Sequence, residues 1–259
     1  MALSVTDAIK TAFGSLKSDV GQKLVGLFFL IQAANFGSGL LIESASMGLQ
    51  VAGALVMVAA GIVSIAATIG ALRSFREEAL EKSFFTSNIL KPFARTLGAN
   101  ITTVVFAYLI ALVLALPAYL VALGGISAST VAAGSVSSLS GIGVAGILLA
   151  AVGVILGIAG FAYVTISLLL AQPLIAIEDK RMFQALDESI QRTKGSRLGI
   201  LLSMVAVFVV YLIAVIFGGV LSVFNETVGT AAIQMIAVPV FTPVFLSLLN
   251  HFSEELPMQ

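Results

Sequence analysis

Long apolar runs separated by short charged stretches dominate the chain. Crossing a hydrocarbon core takes about 20 apolar residues of helix. Six runs are long enough, roughly Leu24–Ile42, Gly48–Leu72, Ile101–Leu123, Ile142–Ile177, Leu198–Val223 and Thr230–Leu249. They are continuous, without the in–out alternation over about ten residues that marks barrel strands, so each predicts a helix. The fourth is too long for one straight crossing. Pro173 predicts where it bends or leaves the bilayer, because proline lacks a helix donor and clashes one turn back. Polar and charged residues from Ser4 to Lys23 precede the first run. That stretch has no short apolar core followed by a cleavage site, so it reads as part of the mature protein rather than as a signal peptide.

The charged connections carry helical periodicity of their own. Val5, Ile9, Phe13, Leu16 and Val20 recur at spacings of three and four, one stripe of a helix, and Ser4 with Asp7 fits a capping box. Phe85, Ile89, Phe93 and Leu97 form a second stripe, and Met182, Leu186 and Ile190 a third, with Asp187, Glu188 and Arg192 on other faces. Amphipathic helices of this kind lie in the headgroup layer or pack on the ends of the crossings. The pattern of amphipathic helix, crossing out and crossing back occurs three times, at about 4–77, 84–178 and 182–252. All three copies have the same orientation, which predicts a parallel repeat, whereas many secondary transporters are built from inverted ones. The expected fold is all-α: a single polytopic membrane domain over 1–259, a six-helix bundle with three cytoplasmic amphipathic helices. The uncharged, Ser/Gly/Ala-rich stretch from Gly124 to Gly141 reads as the longest external loop.

Charge gives the expected orientation. Lys10, Lys17 and Lys23 precede the first crossing. Arg73, Arg76, Lys82, Lys91 and Arg95 lie between the second and third, and Lys180, Arg181, Arg192, Lys194 and Arg197 between the fourth and fifth. These are all 13 Lys and Arg residues. The alternate connections hold only Glu43 and Glu226. The positive-inside rule then places both termini in the cytoplasm of a plasma-membrane protein. Composition agrees, with 59% hydrophobic and 10% charged residues against roughly 25% charged in soluble domains.

The same composition removes many chemistries. Without cysteine there is no disulfide framework, thiolate metal site or cysteine nucleophile. His251 is the single histidine, so a multi-His metal centre is excluded. Thirteen acidic residues balance the 13 basic ones, which leaves no basic field to attract nucleic acid. The acidic pairs Glu77–Glu78, Glu178–Asp179, Asp187–Glu188 and Glu254–Glu255 sit beside basic residues and read as interfacial charges. No zinc-protease, phosphate-loop or nucleophile-elbow motif is present. No catalytic residue, cofactor or metal is expected.

No ionisable side chain falls in the middle of a crossing, where such groups usually mark ion or proton paths. Gln32, Asn35, Gln172 and Gln234 are the candidate polar lining of a pore or ligand site, the plainer role being interhelical hydrogen bonds. Gly143, Gly146, Ala150, Gly153, Gly157 and Gly160 form a small-residue seam at spacings of three and four. Such a seam lets two helix backbones approach closely, within the monomer or between copies. Pro117, Pro239 and Pro243 predict kinks or interrupted hydrogen bonding.

The run from Gln172 to Lys180, with Pro173 and the Glu178–Asp179 turn, leads to Ala185–Leu186 and Ser189, then to Arg192–Thr193, Lys194–Gly195 and Arg197 before an apolar helix. This order resembles the signature of a family of six-helix membrane proteins. That family includes the membrane domain attached to some glycerophosphoryl diester phosphodiesterases and stand-alone bacterial and archaeal proteins of unknown function. Asp7–Phe13 and Phe84–Leu90 also look like the archaeal members. Many members have Trp where this chain has Ile190. These 259 residues contain no phosphodiesterase catalytic domain, so the resemblance implies an architecture and not a reaction. Physically, Glu178 and Asp179 suit the N-terminal side of the following helix, and Lys194 and Arg197 its C-terminal side or lipid phosphates. Together they would fix a cytoplasmic elbow with headgroup contacts.

The sequence thus points to a non-enzymatic integral membrane protein: a scaffold, accessory subunit or lipid-organising element. The alternative is a transporter or channel for a small solute or lipid, with Gln32, Asn35 and Gln234 along its path. Expected partners are membrane lipids and other membrane proteins, including a second copy of itself.

Overall fold

The computed structural model describes the backbone of residues 4–132 and 139–256. Within those ranges it describes side-chain surroundings except at 117–119, 121–132, 139–147 and 150. The described residues are helical and contain no strand. In chain order the helices are α1 (Val5–Gly14), α2 (Asp19–Ile42), α3 (Met47–Arg76), α4 (Lys82–Thr86), α5 (Leu90–Ala132) and α6 (Leu139–Leu168). They continue with α7 (Ala171–Glu178), α8 (Met182–Thr193), α9 (Arg197–Phe224), α10 (Glu226–Ala232) and α11 (Val238–Glu255). Six helical spans are long and apolar enough to cross a membrane: Asp19–Ile42, Met47–Arg76, Leu90–Leu116, Ala151–Glu178, Arg197–Phe224 and Glu226–Glu255. They match the six predicted runs.

Local chemistry sets the helix ends. Ser4 Oγ accepts from the Asp7 N–H at 3.3 Å and Ser18 Oγ from the Gly21 N–H at 3.0 Å, each satisfying a free donor of a first turn. Asn225 Oδ1 does the same for the Val228 N–H at 3.1 Å. The break between α6 and α7 follows from Pro173, whose ring cannot sit one turn above the Leu169 carbonyl of a regular helix. The interruption therefore comes before the proline, at 169–170. Pro239 and Pro243 remove two further donors, and just before them Ile233–Ala237 forms a π turn. A lost i→i−4 bond relaxes into such a widened turn. α5 runs through Pro117, whose surroundings lie outside the described residues.

Three expectations change. The predicted external loop is largely helix, since 124–132 belong to α5 and 139–141 to α6; residues 133–138 lie outside the described residues. The predicted stripe from Phe85 to Leu97 does not lie on one helix. Asn88 has φ 52°, and this left-handed turn separates α4 from α5; asparagine tolerates it because its short polar side chain bonds locally. In α8 the buried face is not the whole predicted stripe, since of Met182, Leu186 and Ile190 only Leu186 is buried. Ala185, Leu186, Glu188, Ser189 and Arg192 are buried, and Ile190 is 42% exposed. Paired polar side chains replace water for one another there, so the face that looked solvated is the packed one.

The chain divides into two compact units, one of residues 1–99 and 169–259, the other of residues 100–168. In the first, α2, α3 and α11 pack together, with α1 against α9 and α11 and α7 against α3. Its core includes Leu24, Phe28, Leu72, Leu174, Ile200, Leu248 and Phe252, all at most 2% exposed. α1 turns Ala8 and Ala12 fully inward, and Val5, Ile9 and Phe13 are half-buried beside them. In the second unit α6 lies on α5. A Cβ at Gly157 would stand 3.2 Å from the Ala111 carbonyl oxygen, and one at Gly160 would stand 2.5 Å from Leu114 Cδ1. These two members of the predicted seam, with buried Gly153, form an intramolecular packing surface. The surroundings of Gly143, Gly146 and Ala150 lie outside the described residues.

Candidate functional site

All 13 cations belong to the first unit, and the segments that carry them meet at one end of it. Arg73 lies in the last turn of α3 and reaches two other segments. Its Nε donates to the Ala176 carbonyl at 2.9 Å, and its Nη1 to those of Phe84 and Ser87 at 3.2 and 3.3 Å. Arg95 Nη1 donates to the Asp179 carbonyl at 2.8 Å and to its Oδ1 at 2.7 Å. Asp179 needs this support, because it caps α7 in the left-handed region at φ 51°.

The elbow itself is held by a four-charge knot. Arg192, 9% exposed, donates from Nε and Nη2 to Glu188, from Nη2 to both Glu178 oxygens at 3.0 and 3.1 Å, and from Nη1 to the Ser253 carbonyl at 3.2 Å. Lys180 Nζ lies 3.0 Å from Glu188 and 3.6 Å from Glu178. Burial would raise the Glu188 carboxyl, but hydrogen bonds and positive charge from Lys180 and Arg192 outweigh it and hold the group below the usual carboxylate range. The hydrogen bond to Glu188 likewise raises the Lys180 ammonium against its own desolvation. Beside the knot, Ser189 Oγ accepts from the Leu170 N–H at 3.0 Å, one of the donors freed by the Pro173 break.

Glu178 and Asp179 are therefore engaged by Arg192, Lys180 and Arg95. Lys194 is the exposed cap of α8, and half-buried Arg197 opens α9. Nothing in the spacing singled out Arg192 and Glu188. Their i, i+4 interval is a common surface pattern, and only the packing of α8 makes it a buried one.

Two polar cavities lie in the first unit. One of about 520 Å³ sits at the cationic end, lined by Ser15 and Ser18, Arg76 of α3, and Asn250, His251 and Glu254 of α11. Arg76 Nη1 bonds Glu254 at 3.0 Å, and Asn250 Nδ2 donates to the same carboxylate at 3.1 Å. That fixes the Asn250 amide, which is 7% exposed and whose Oδ1 has no partner.

The other cavity, of about 720 Å³, brings together Gln32, Asn35 and Gln234 with Glu43, Glu226 and Thr230. Gln172 lies elsewhere, half-buried in α7. Gln32 is roughly 2 Å from the middle of α2 at 1.5 Å per residue, so the cavity runs from the end bearing Glu43 to about the midpoint of that helix, with exposed Leu40 and Met57 on its open side. Within the described structure no protein group bonds the side chains of Gln32, Asn35 or Gln234, and no cation pairs with Glu43 or Glu226. The two cavities share no lining residue, and between their linings along α2 and α11 come Leu24, Phe28, Ile31 and Val244, none more than 5% exposed. Among the described residues no group of three His, Asp or Glu could hold a metal ion. Comparison with family models, with curated proteins and with solved structures finds no match to the chain.

Proposed function

We propose that the chain is a non-enzymatic, multi-pass protein of the plasma membrane that receives a small polar solute in the cavity of Gln32, Asn35 and Gln234. One observation carries this reading: three amides without protein partners face one cavity that reaches the midpoint of the apolar helix α2. Unbonded polar groups at that depth are costly, and their usual resolution is a water-filled or liganded cavity. The solute enters from the end bearing Glu43 and Glu226, where no cation repels a neutral or positively charged guest. Both termini and the cationic connections face the cytoplasm under the positive-inside rule, so the cavity opens outward. The apolar layer around Phe28 and Val244 is the closed gate of a transporter in this reading.

A second reading, a scaffold or lipid-organising subunit, is favoured by the knot around Arg192 and by the short helices at the cationic end. These helices would lie in the headgroup layer, and the helix-plus-hairpin order over 4–77, 84–178 and 182–252 would be a parallel repeat. Kinship with the six-helix family rests on the residues from Gln172 to Arg197, with Asp7–Phe13 and Phe84–Leu90 beside them.

The two readings separate in proteoliposomes. Stopped-flow swelling with glycerol, urea and choline should show uptake of at least one solute above that of empty vesicles. Gln32→Leu combined with Gln234→Leu should abolish it. A thiol placed by Gln234→Cys should react with a water-soluble maleimide. No uptake together with an unreactive thiol would leave the scaffold.

A further inference from the structure

A groove on the lipid-facing side of α2 and α3 is separate from both polar cavities. Its upper part, about 460 Å³, is flanked by Lys23, Leu27, Val63 and Lys82. Its lower part, about 370 Å³, shares Leu27 and Val63 and continues to Ala34 and Ala59. From Lys23 to Ala34 it follows α2 for roughly 16 Å at 1.5 Å per residue. That is the thickness of one leaflet, half of a hydrocarbon core of about 30 Å. The walls are apolar along the whole length, and the polar groups are confined to one end.

At that end two ammonium groups flank the opening. Lys82 makes no ion pair in the described structure. Lys23 pairs only with Asp19, and both side chains are more than half exposed; an ion pair of that kind is weak and exchangeable. The nearby Glu81 carboxylate accepts from the Ser83 hydroxyl at 2.9 Å. A slot one leaflet long, apolar below and doubly cationic above, is complementary to one class of molecule.

We propose that this groove is a binding site for an anionic phospholipid of the leaflet at the cationic end. One acyl chain lies along Leu27 and Val63, and the phosphate sits between Lys23 and Lys82. Each lysine supplies a surface-level attraction to the anionic headgroup, and the chain adds contact area between the helices. A zwitterionic lipid fits the same slot without the charge term.

The test uses the full chain in mild detergent, offered equal phosphatidylglycerol and phosphatidylcholine, with retained lipid counted by native mass spectrometry. Phosphatidylglycerol should be retained about thirtyfold more strongly, from two lysine–headgroup attractions. Lys23→Gln with Lys82→Gln should remove the preference, and Lys23→Arg with Lys82→Arg should restore it. Lys10→Gln, an exposed cation of α1 that lines neither the groove nor a cavity, should leave it intact. Ala59→Phe should reduce retention of both lipids by filling the slot, with an unchanged circular dichroism melt. Equal retention of the two lipids by the wild type overturns the proposal. So does a preference that survives the double glutamine variant, or retention that Ala59→Phe leaves unchanged. None of these outcomes bears on solute uptake, so the cavity reading stands or falls separately.

Discussion

Arg192→Met is the most direct perturbation of the elbow. It keeps much of the aliphatic stem and removes the guanidinium that bonds Glu188, Glu178 and the Ser253 carbonyl. Glu188, 6% exposed, is then left with Lys180 as its only cation, and the knot changes from neutral to −1. Leaving a buried charge without its partner costs about 3–5 kcal/mol. The retained Lys180 contact at 3.0 Å puts the expectation at the low end, about 3 kcal/mol. The assay is reversible unfolding in detergent micelles titrated with SDS, followed by circular dichroism. Glu188→Gln with Arg192→Met should recover part of the loss, because no buried carboxylate remains unpaired. The dependence on pH gives an independent check. Glu188 is held below its unfolded value, so its stabilisation is complete above about pH 4.3 and is lost as pH falls through the folded value. Glu188→Gln should flatten that part of the acid profile. A cost under about 1 kcal/mol for Arg192→Met, the range of an exposed ion pair, would refute the buried knot.

Ser189→Ala should cost about 1–3 kcal/mol in the same titration, because the Leu170 N–H loses its acceptor; Ser189→Thr should cost less. Gly160→Leu should destabilise the α5–α6 pair by about 1–3 kcal/mol through overpacking against Leu114, whereas Gly26→Ala, with nothing within 4 Å of the added carbon, should be silent. The chain has no cysteine, so single thiols report sidedness cleanly. In intact cells an impermeant maleimide should label Ala45→Cys, at an exposed position between α2 and α3, and leave Lys194→Cys unlabelled. The reverse pattern would invert the orientation and with it the side from which the cavity opens.

The six spans were legible because an apolar run either is or is not long enough for a bilayer, and that is a property of local sequence. The Ser4 cap and the effect of Pro173 were legible for the same reason. The site was not, beyond three of its amides. Glu43 and Glu226 stand 183 positions apart, and only the packing of α2 against the π turn and α11 that follow α10 puts them at one cavity mouth. The seam residues Gly157 and Gly160 were visible in sequence, but their partner α5 was not. The spans are apolar on every side, since lipid is as apolar as the protein interior, and periodicity then carries little information about which face meets which helix. In α8 the polar pattern misled. Glu188, Ser189 and Arg192 resemble a solvated face until α7 and α11 supply their partners. Sequence alone determined how many times the chain can cross and where its cations lie. Tertiary structure decided which faces meet, because helix pairing in an apolar medium depends on close packing and on a few long-range polar bonds that no local pattern encodes.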